Sequence, residues 1–292
     1  MKNFLLLVPI FIVISCSDNN ARTSTSTKDT AASTKMDSSN SSDVAIADAA
    51  TILNRKQVPI LCYHHIRDAA SVSKNSMGYD VTLNQFKAQM KTLADSGYKT
   101  ILPEQYYDYL TKGTPLPEKP VMLTYDDTDE EQFSFAKPEM DKYGFKGVYF
   151  IMTISIGRPR YMTKEQIKQL SDEGHVIASH TWDHSRFDRY KPENEVEIGG
   201  VKKIVNDWDQ QLTVTKKKLE DITGKPVEYF AFPFGLWNKT GLPEIEKRGY
   251  KMAYQLATSR DSTYPLLTAR RIIAAPTWSS AGLIRVMRSS FK

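Results

Sequence analysis

The stretch "PVMLTYDD", residues 120–127, places two adjacent carboxylates, Asp126 and Asp127, directly after an apolar run. The apolar run is typical of a buried β-strand. Two neighbouring negative charges repel each other, and partial burial makes each of them costly to keep ionised. A turn after the strand is the simplest explanation of an Asp at this place, but a pair raises the question of what holds both charges there.

Apolar runs of strand length recur along the chain, and amphipathic stretches separate them. The predicted strands are 58–63, 98–102, 120–125, 147–152, 175–179, 227–232, 251–256 and 271–275. Helices are predicted at 83–97, 163–174, 199–222 and 240–249, and the second of these opens with a capping box formed by Thr163 and Gln166. This alternation predicts an α/β fold with a mostly parallel sheet, either open or closed into a barrel.

The amino terminus predicts export. In residues 1–16, "MKNFLLLVPIFIVISC", an apolar run too short to span a bilayer follows Lys2 and ends in Ser-Cys. This segment resembles a bacterial lipoprotein signal, which implies a lipid on Cys16 and a membrane anchor in the cell envelope, at the outer membrane. A plain secretory signal is the alternative. Residues 17–54, rich in Ser, Thr and Asp, are expected to be a disordered tether, and 55–292 a single folded domain.

The amino-acid composition limits which kinds of binding partner and enzyme class are expected. The net charge is +5, and the basic residues form no long block, so nothing favours a nucleic-acid partner. The chain has two cysteines; with Cys16 assigned to the lipid, Cys62 is expected to be a small buried side chain. A serine hydrolase is disfavoured because no Gly-x-Ser-x-Gly stretch is present. The protein is expected to be a monomer.

Polar residues cluster where predicted strands end. His64 follows the first strand, Asp126 and Asp127 follow the third, and "SHTWDH" places His180 and His184 after the fifth. In parallel α/β folds these carboxyl ends meet at one edge of the sheet. Two imidazoles and one carboxylate form the ligand set of a catalytic zinc-type site, although a surface loop with two solvated histidines remains the alternative.

Three ordered motifs, "PVMLTYDD", "SHTWDH" and "FAFPFG", resemble those of the polysaccharide deacetylase family, the NodB-homology or family 4 carbohydrate esterases. The resemblance covers about residues 58–275. It implies a distorted, TIM-like (β/α) barrel of seven or eight mostly parallel strands. It also implies metal-dependent N-deacetylation of a polysaccharide that contains N-acetylglucosamine, with release of acetate. An O-acetyl esterase acting on glycans, or a non-catalytic carbohydrate-binding lipoprotein, are the alternatives.

The resemblance also implies roles for residues. Asp127, His180 and His184 would hold one divalent metal ion, zinc in most of the family. Asp126 would be the general base that takes a proton from the metal-bound water. The backbone N–H of Phe234, where the family usually has Tyr, would bind the oxyanion.

The sequence departs from the family pattern in two places. No His follows His184, so the late histidine acid of many members is missing. The stretch "LCYHHI" resembles the start of the poly-N-acetylglucosamine deacetylase branch, which implies that His64 is the acid and His65 a solvated neighbour. Ala231 stands where many members have a base-orienting Arg, and Arg270 or Arg271 could replace it.

Other site candidates are less defined. Trp182, Trp237 and Trp278 could stack on sugars or simply pack. Pro233 and Arg271 are further candidates for substrate binding.

We expect Cys16→Ala to move the full-length protein from the detergent phase to the aqueous phase on extraction, because the lipid anchor is lost. Mass analysis of the wild-type amino terminus is the direct check. An unmodified, water-soluble wild type would contradict the lipoprotein interpretation.

Overall fold

The structure, a computed structural model, describes residues 46–68, 78–190, 193–198, 200–275 and 277–291. The predicted signal peptide, Cys16 and most of the predicted tether lie outside these residues. In the described part, no helix is long and apolar enough to cross a membrane.

The strands and helices alternate as the sequence predicts. The strands are β1 (Ile60–Tyr63), β2 (His65–Arg67), β3 (Asp80–Thr82), β4 (Lys99–Thr100), β5 (Pro120–Tyr125), β6 (Val148–Ile151), β7 (Val176–Ser179), β8 (Asn194–Ile198), β9 (Val201–Val205), β10 (Tyr229–Ala231), β11 (Met252–Gln255), β12 (Ala269–Arg270) and β13 (Ile272–Ile273). The helices are α1 (Ala49–Asn54), α2 (Leu83–Asp95), α3 (Pro103–Lys112), α4 (Lys137–Asp141), α5 (Lys164–Asp172), α6 (Thr215–Thr223), α7 (Leu242–Lys247) and α8 (Ser280–Ser290).

Eight of these strands form a nearly closed barrel. They run in the order β12-β11-β10-β7-β6-β5-β1-β13, and every neighbouring pair is parallel. The two end strands lie on one chain segment: Ala269 pairs with Tyr254 of β11, and Ile272 pairs with Leu61 of β1. Only Arg271 separates β12 from β13. The predicted (β/α) barrel is therefore confirmed, and one short segment closes it.

Alternate residues of the barrel strands enter two different apolar clusters, because successive side chains of a strand point to opposite faces. Ile60, Met122, Phe150 and Tyr254 belong to the inner cluster, which α1 and α3 complete. The residues between them pack under the surrounding helices in an outer cluster, for example Leu61, Leu123, Tyr149 and Ala253 with Phe86, Ile167 and Leu219. At the carboxyl ends of the strands, the inward-pointing positions are left for polar side chains.

Most predicted helices have the predicted start. Helix α5 begins after Thr163, and both hydrogen bonds of the capping box with Gln166 are present. Helix α2 has a second capping box, between Thr82 and Gln85, that the sequence analysis did not single out. The structure also has the predicted strands β5 and β7 in the motifs "PVMLTYDD" and "SHTWDH".

The predicted helix at 199–222 is wrong over its first half. Residues of β8 and β9 form an antiparallel hairpin in which Ile198 pairs with Val201. Gly200, directly before β9, has a positive φ of 79°, a conformation that glycine adopts without steric cost. The second half is helical as predicted, because a π-helical stretch, Asp209–Val214, leads directly into α6 at Thr215. The β-branched residues on both sides of the Gly-Gly pair favour a hairpin over a helix.

The predicted tether is too long at its carboxyl end. Residues from Ile46 onward belong to the folded unit, because Ala47 N donates to Thr111 O at 2.8 Å. Asp48 caps α1 by accepting from Thr51 N at 2.7 Å, and Ile52 enters the inner cluster. A single buried isoleucine and one capping Asp are too small a signal to distinguish such a helix from polar tether.

His175 is buried between α5 and β7 and makes stability depend on pH. Its Nδ1 accepts the Gly147 N–H at 3.1 Å. Burial, followed by the charge of Lys146, lowers the pKa of His175 to about 4, while Asp141 and Glu173 act in the opposite direction. Because an unfolded histidine has a pKa near 6.5, the folded state binds the proton less readily, and stability falls as the pH drops from about 6.5 towards 4.

We therefore expect the wild type to lose roughly 2 kcal/mol more unfolding free energy than His175→Gln between pH 7 and pH 4.5. Urea unfolding of both proteins at the two pH values measures this difference. Equal losses in the two proteins would show that His175 is not responsible.

Candidate active site

The carboxyl ends of three barrel strands bring the predicted site residues together. His64 follows β1, Asp126 and Asp127 follow β5, and His180 follows β7. His180 Nε2 lies 3.4 Å from Asp127 Oδ1 and 3.8 Å from Asp126 Oδ2, and His64 Nε2 lies 4.0 Å from the same Asp126 oxygen. Residues more than 100 positions apart in the chain thus share one small volume.

The residues present fit a metal ion. Asp127 Oδ1 lies 3.4 Å from His184 Nε2 as well as from His180 Nε2, and one ligand atom from each residue lies within 4.8 Å of the others. Asp127 Oδ1 and His180 Nε2 are buried without a hydrogen-bond partner. A cation between them would satisfy both atoms, which buried polar atoms require.

Two further observations favour this set as a ligand set. His180 Nδ1 donates to Ala231 O at 2.8 Å, which leaves Nε2 with its lone pair directed at Asp127. Burial would lower the pKa of His180, but the negative charges of Asp126 and Asp127 raise it overall. The same negative potential would attract a metal cation.

The tight loop after β7 fixes the second histidine. His184 N donates to Thr181 Oγ1 at 3.0 Å, and the two imidazole rings lie 4.9 Å apart. Burial and the nearby His180 lower the pKa of His184 to about 4, so its ring is neutral at neutral pH. A neutral ring is the form that binds metal ions.

Arg271 binds Asp126, the first of the two adjacent carboxylates. Both side chains are buried, and the guanidinium donates to Asp126 Oδ1 at 2.6 Å and to Oδ2 at 2.7 Å. Arg271 also donates to Thr124 Oγ1 at 3.2 Å and lies 5.1 Å from the Phe150 ring. Burial alone would raise the pKa of Asp126, but Arg271 and His180 outweigh it and lower that pKa to about 2.

The structure therefore decides between the two candidate arginines. Arg271 occupies an inward position of the closing segment and orients Asp126. The neighbouring Arg270 lies on the other face, where its guanidinium is 3.4 Å from Gln57 Oε1 and 5.4 Å from the Phe291 ring.

His64 sits between a thiol and a carboxylate. Its Nδ1 lies 3.9 Å from Cys62 Sγ, its Nε2 lies 4.0 Å from Asp126, and its ring packs edge-on against Tyr79. Burial lowers the pKa of His64. Cys62 is buried, as predicted, but its thiol also donates to Asp126 Oδ2 at 3.5 Å.

Gln132 is a buried residue of the site that the sequence motifs did not indicate. Its buried amide donates to His64 O at 2.8 Å and to Asp126 O, and so ties the end of β1 to the end of β5. Gln132 opens a π-helical turn, Gln132–Ala136, an irregularity that is frequent at functional sites. Because its partners are backbone carbonyls, no residue type in a motif marks the contact.

His65 is not the solvated neighbour that was expected. Its Nδ1 is hydrogen-bonded to the buried carboxylate of Asp129. Arg67 contacts the same carboxylate at 3.6 Å and also pairs with Asp80 and Glu131. The alternation along the chain turns His65 away from His64, so the two adjacent histidines serve different networks.

The backbone around the site is strained. Seven non-glycine residues in the described ranges have a positive φ, and five of them are Asp127, Thr128, Thr181, His184 and Phe234. Such conformations cost on the order of 1–3 kcal/mol each and concentrate at functional sites. At Thr128, Oγ1 accepts the Met152 N–H at 2.8 Å, which offsets part of the cost.

The remaining candidates differ in position. The Phe234 side chain is exposed and its ring lies 4.5 Å from that of His184, beside the metal-ligand set. Pro233 is buried just before it, and Trp182 is half-buried between the two histidines. Trp237 and Trp278 are partly buried against the outer cluster, and Trp237 Nε1 donates to Gln255. These contacts favour packing roles for Trp237 and Trp278.

Comparisons with known proteins agree with this geometry. Residues 113–253 match the family model described as polysaccharide deacetylase. YxkH of Bacillus subtilis (strain 168), assigned to the polysaccharide deacetylases, is 29% identical over 229 residues, which cover 77% of this chain and 75% of that protein. The poly-beta-1,6-N-acetyl-D-glucosamine N-deacetylase of Staphylococcus aureus (strain MRSA252) is 27% identical over 213 residues, 67% of this chain and 71% of that one.

The fold is also similar to that of a solved structure, the Streptococcus pyogenes deacetylase PplD in complex with acetate. The TM-score is 0.68 at 24% identity, with 79% of this chain and 98% of the other covered. The barrel has the fold of the polysaccharide deacetylases. The chain contains a polysaccharide deacetylase domain, of the NodB-homology or family 4 carbohydrate esterase type, and is a deacetylase of the hydrolase class.

We expect Arg271→Met to lower the unfolding free energy by about 3–5 kcal/mol, because it leaves the Asp126 charge buried without a partner. Arg270→Met is the matched control from the same segment, and should cost at most about 1 kcal/mol. Urea unfolding at pH 7 measures both. Equal effects of the two substitutions would show that the ion pair contributes nothing specific.

Proposed function

We propose that this protein removes N-acetyl groups from a polysaccharide that contains N-acetylglucosamine, with one bound divalent ion, zinc, and releases acetate. The observation that carries the proposal is the ligand set Asp127, His180 and His184 beside an ionised carboxylate, Asp126, held by Arg271. The named activity of the Staphylococcus aureus relative supports the substrate class.

Each residue has a distinct task. The ion held by Asp127, His180 and His184 would supply Lewis-acid chemistry, by polarising the acetamide carbonyl and making water acidic. Asp126 accepts the proton of the attacking water, and the two bonds from Arg271 keep its carboxylate ionised and in a single orientation.

The remaining steps need an oxyanion donor and an acid. The backbone N–H of Phe234, next to His184, donates to the developing oxyanion. An amine leaves only when it is protonated, and His64 is the proposed donor because it lies beside Asp126 at the end of β1. Burial keeps His64 neutral at rest, so the proton that Asp126 takes from the water would pass to His64, whose Nε2 lies 4.0 Å from Asp126 Oδ2, and from His64 to the leaving amine.

We also propose that residues 1–16 direct export and leave the protein lipid-anchored in the cell envelope, at the outer membrane, through Cys16. A flexible tether would follow, and the folded domain would begin near Ile46. The support is the sequence of the amino terminus alone.

The test of the substrate is acetate release from peptidoglycan, chitin oligomers and β-1,6-linked N-acetylglucosamine oligomers. Chelation should abolish the release and zinc should restore it. Release only from O-acetylated glycans would replace the proposal with the esterase alternative. Binding of a polymer without any acetate release would support the non-catalytic alternative.

We expect Asp127→Ala to lose both the metal and the activity, since it removes the only carboxylate of the proposed ligand set. Asp126→Asn should retain the metal and lose turnover, because a neutral amide cannot accept the proton. Metal content by elemental analysis and acetate release separate the two. Similar metal content and activity in both variants would contradict the assignment.

His64→Ala should lower amide hydrolysis by roughly 10²–10⁴-fold, the usual range for loss of a general acid, with unchanged content of the catalytic metal. The loss should be much smaller with an activated ester, whose leaving group needs no proton. His65→Ala is the neighbouring control and should be milder. Near-normal amide hydrolysis by His64→Ala would show that another group is the acid.

A further inference from the structure

A second set of metal-binding side chains lies beside the first. Cys62 Sγ is 3.5 Å from Asp126 Oδ2 and 3.9 Å from His64 Nδ1, and all three residues are buried. One ligand atom from each lies within 4.8 Å of the others. Bonds of about 2.0–2.3 Å in tetrahedral geometry place ligand atoms roughly 3.3–3.6 Å apart, so the observed cluster is already close to that size.

The proposed reaction does not explain this cluster. A base and an acid need a carboxylate and an imidazole, but they do not need a thiol against both of them. A sulfur ligand also changes the metal preference, because thiolates select soft or borderline ions over Mg²⁺, Ca²⁺ and Mn²⁺.

We propose that Cys62, His64 and Asp126 form a second, inhibitory metal site that takes a soft divalent ion, such as Cd²⁺ or Zn²⁺ in excess. The ion enters where the thiol hydrogen lies between Sγ and Asp126 Oδ2. The S–H bond breaks, a sulfur–metal bond forms, and the proton leaves to solvent. No oxidation or reduction takes place.

Arg271 weakens this site without blocking it. A carboxylate offers about four lone-pair directions, so Asp126 Oδ2 can keep its bond from the guanidinium and still bind an ion. The positive charge of Arg271 opposes a second cation nearby. We therefore expect the Asp127–His180–His184 set to fill first and the thiol-containing set to fill only in excess metal.

A second ion at this site would inhibit the reaction, because it would occupy two groups that the reaction uses. It would use the lone pair of Asp126 that accepts the proton of water, and it would tie up His64, the proposed acid. Inhibition therefore rests on the proposed deacetylase function, whereas the binding itself does not.

The experiment titrates the full-length protein, first loaded with one equivalent of Zn²⁺, with Cd²⁺. We expect a second equivalent to bind, a cadmium–thiolate charge-transfer absorption to appear, one proton to be released, and acetate release to fall at least tenfold. Cys62→Ser should bind no second equivalent and show no such absorption. Cys16→Ala, which leaves Cys62 in place, is the control and should match the wild type in metal stoichiometry and in thiolate absorption.

Binding and activity are separate readouts. Absence of the thiolate absorption from the wild type, or its persistence in Cys62→Ser, overturns the inference whatever the activity. If the second ion binds through Cys62 while acetate release continues unchanged, the inhibitory role is overturned. If it binds and no polymer or ester is ever deacetylated, the proposed function fails and the metal site stands.

Discussion

The buried ion pair between Arg271 and Asp126 links the architecture of this protein to its site. Arg271 stands between β12 and β13, on the segment that closes the barrel, and Asp126 directly follows strand β5. Removing both charges from water costs several kcal/mol per ion, and two short hydrogen bonds with a third to Thr124 offset that cost. The segment that closes the barrel therefore also fixes the position of the Asp126 carboxylate.

This pair also explains how two adjacent carboxylates coexist. Asp126 is neutralised from within the barrel by a guanidinium, while Asp127, at a left-handed backbone position, turns towards two imidazoles. The strained conformation is what sends consecutive side chains to different partners. The apolar clusters of the barrel supply the stability that maintains this strain.

Local sequence patterns predicted the main strands well, but they predicted the hairpin and the start of the folded domain poorly. The eight predicted strands are present, mostly shorter, because long apolar runs bounded by turns have few alternatives in an α/β chain. The first half of the segment 199–222 was predicted wrongly because Lys and β-branched residues occur in both helices and strands, although the Gly-Gly pair favours a hairpin. The end of the tether was misplaced because α1 has one buried side chain, Ile52, whose partners in the inner cluster are distant in the sequence.

The sequence by itself determined eight of the strands, where the acidic pair and the two histidines fall relative to them, and the family these motifs resemble. Only the tertiary structure decided that Arg271 rather than Arg270 meets Asp126, that Gln132 ties two strand ends together, and that His65 pairs with Asp129. Neighbouring residues on a strand face opposite sides, so which one points inward depends on register with other strands. For Arg271 and Asp126 that register joins residues 145 positions apart, a distance that no local pattern spans.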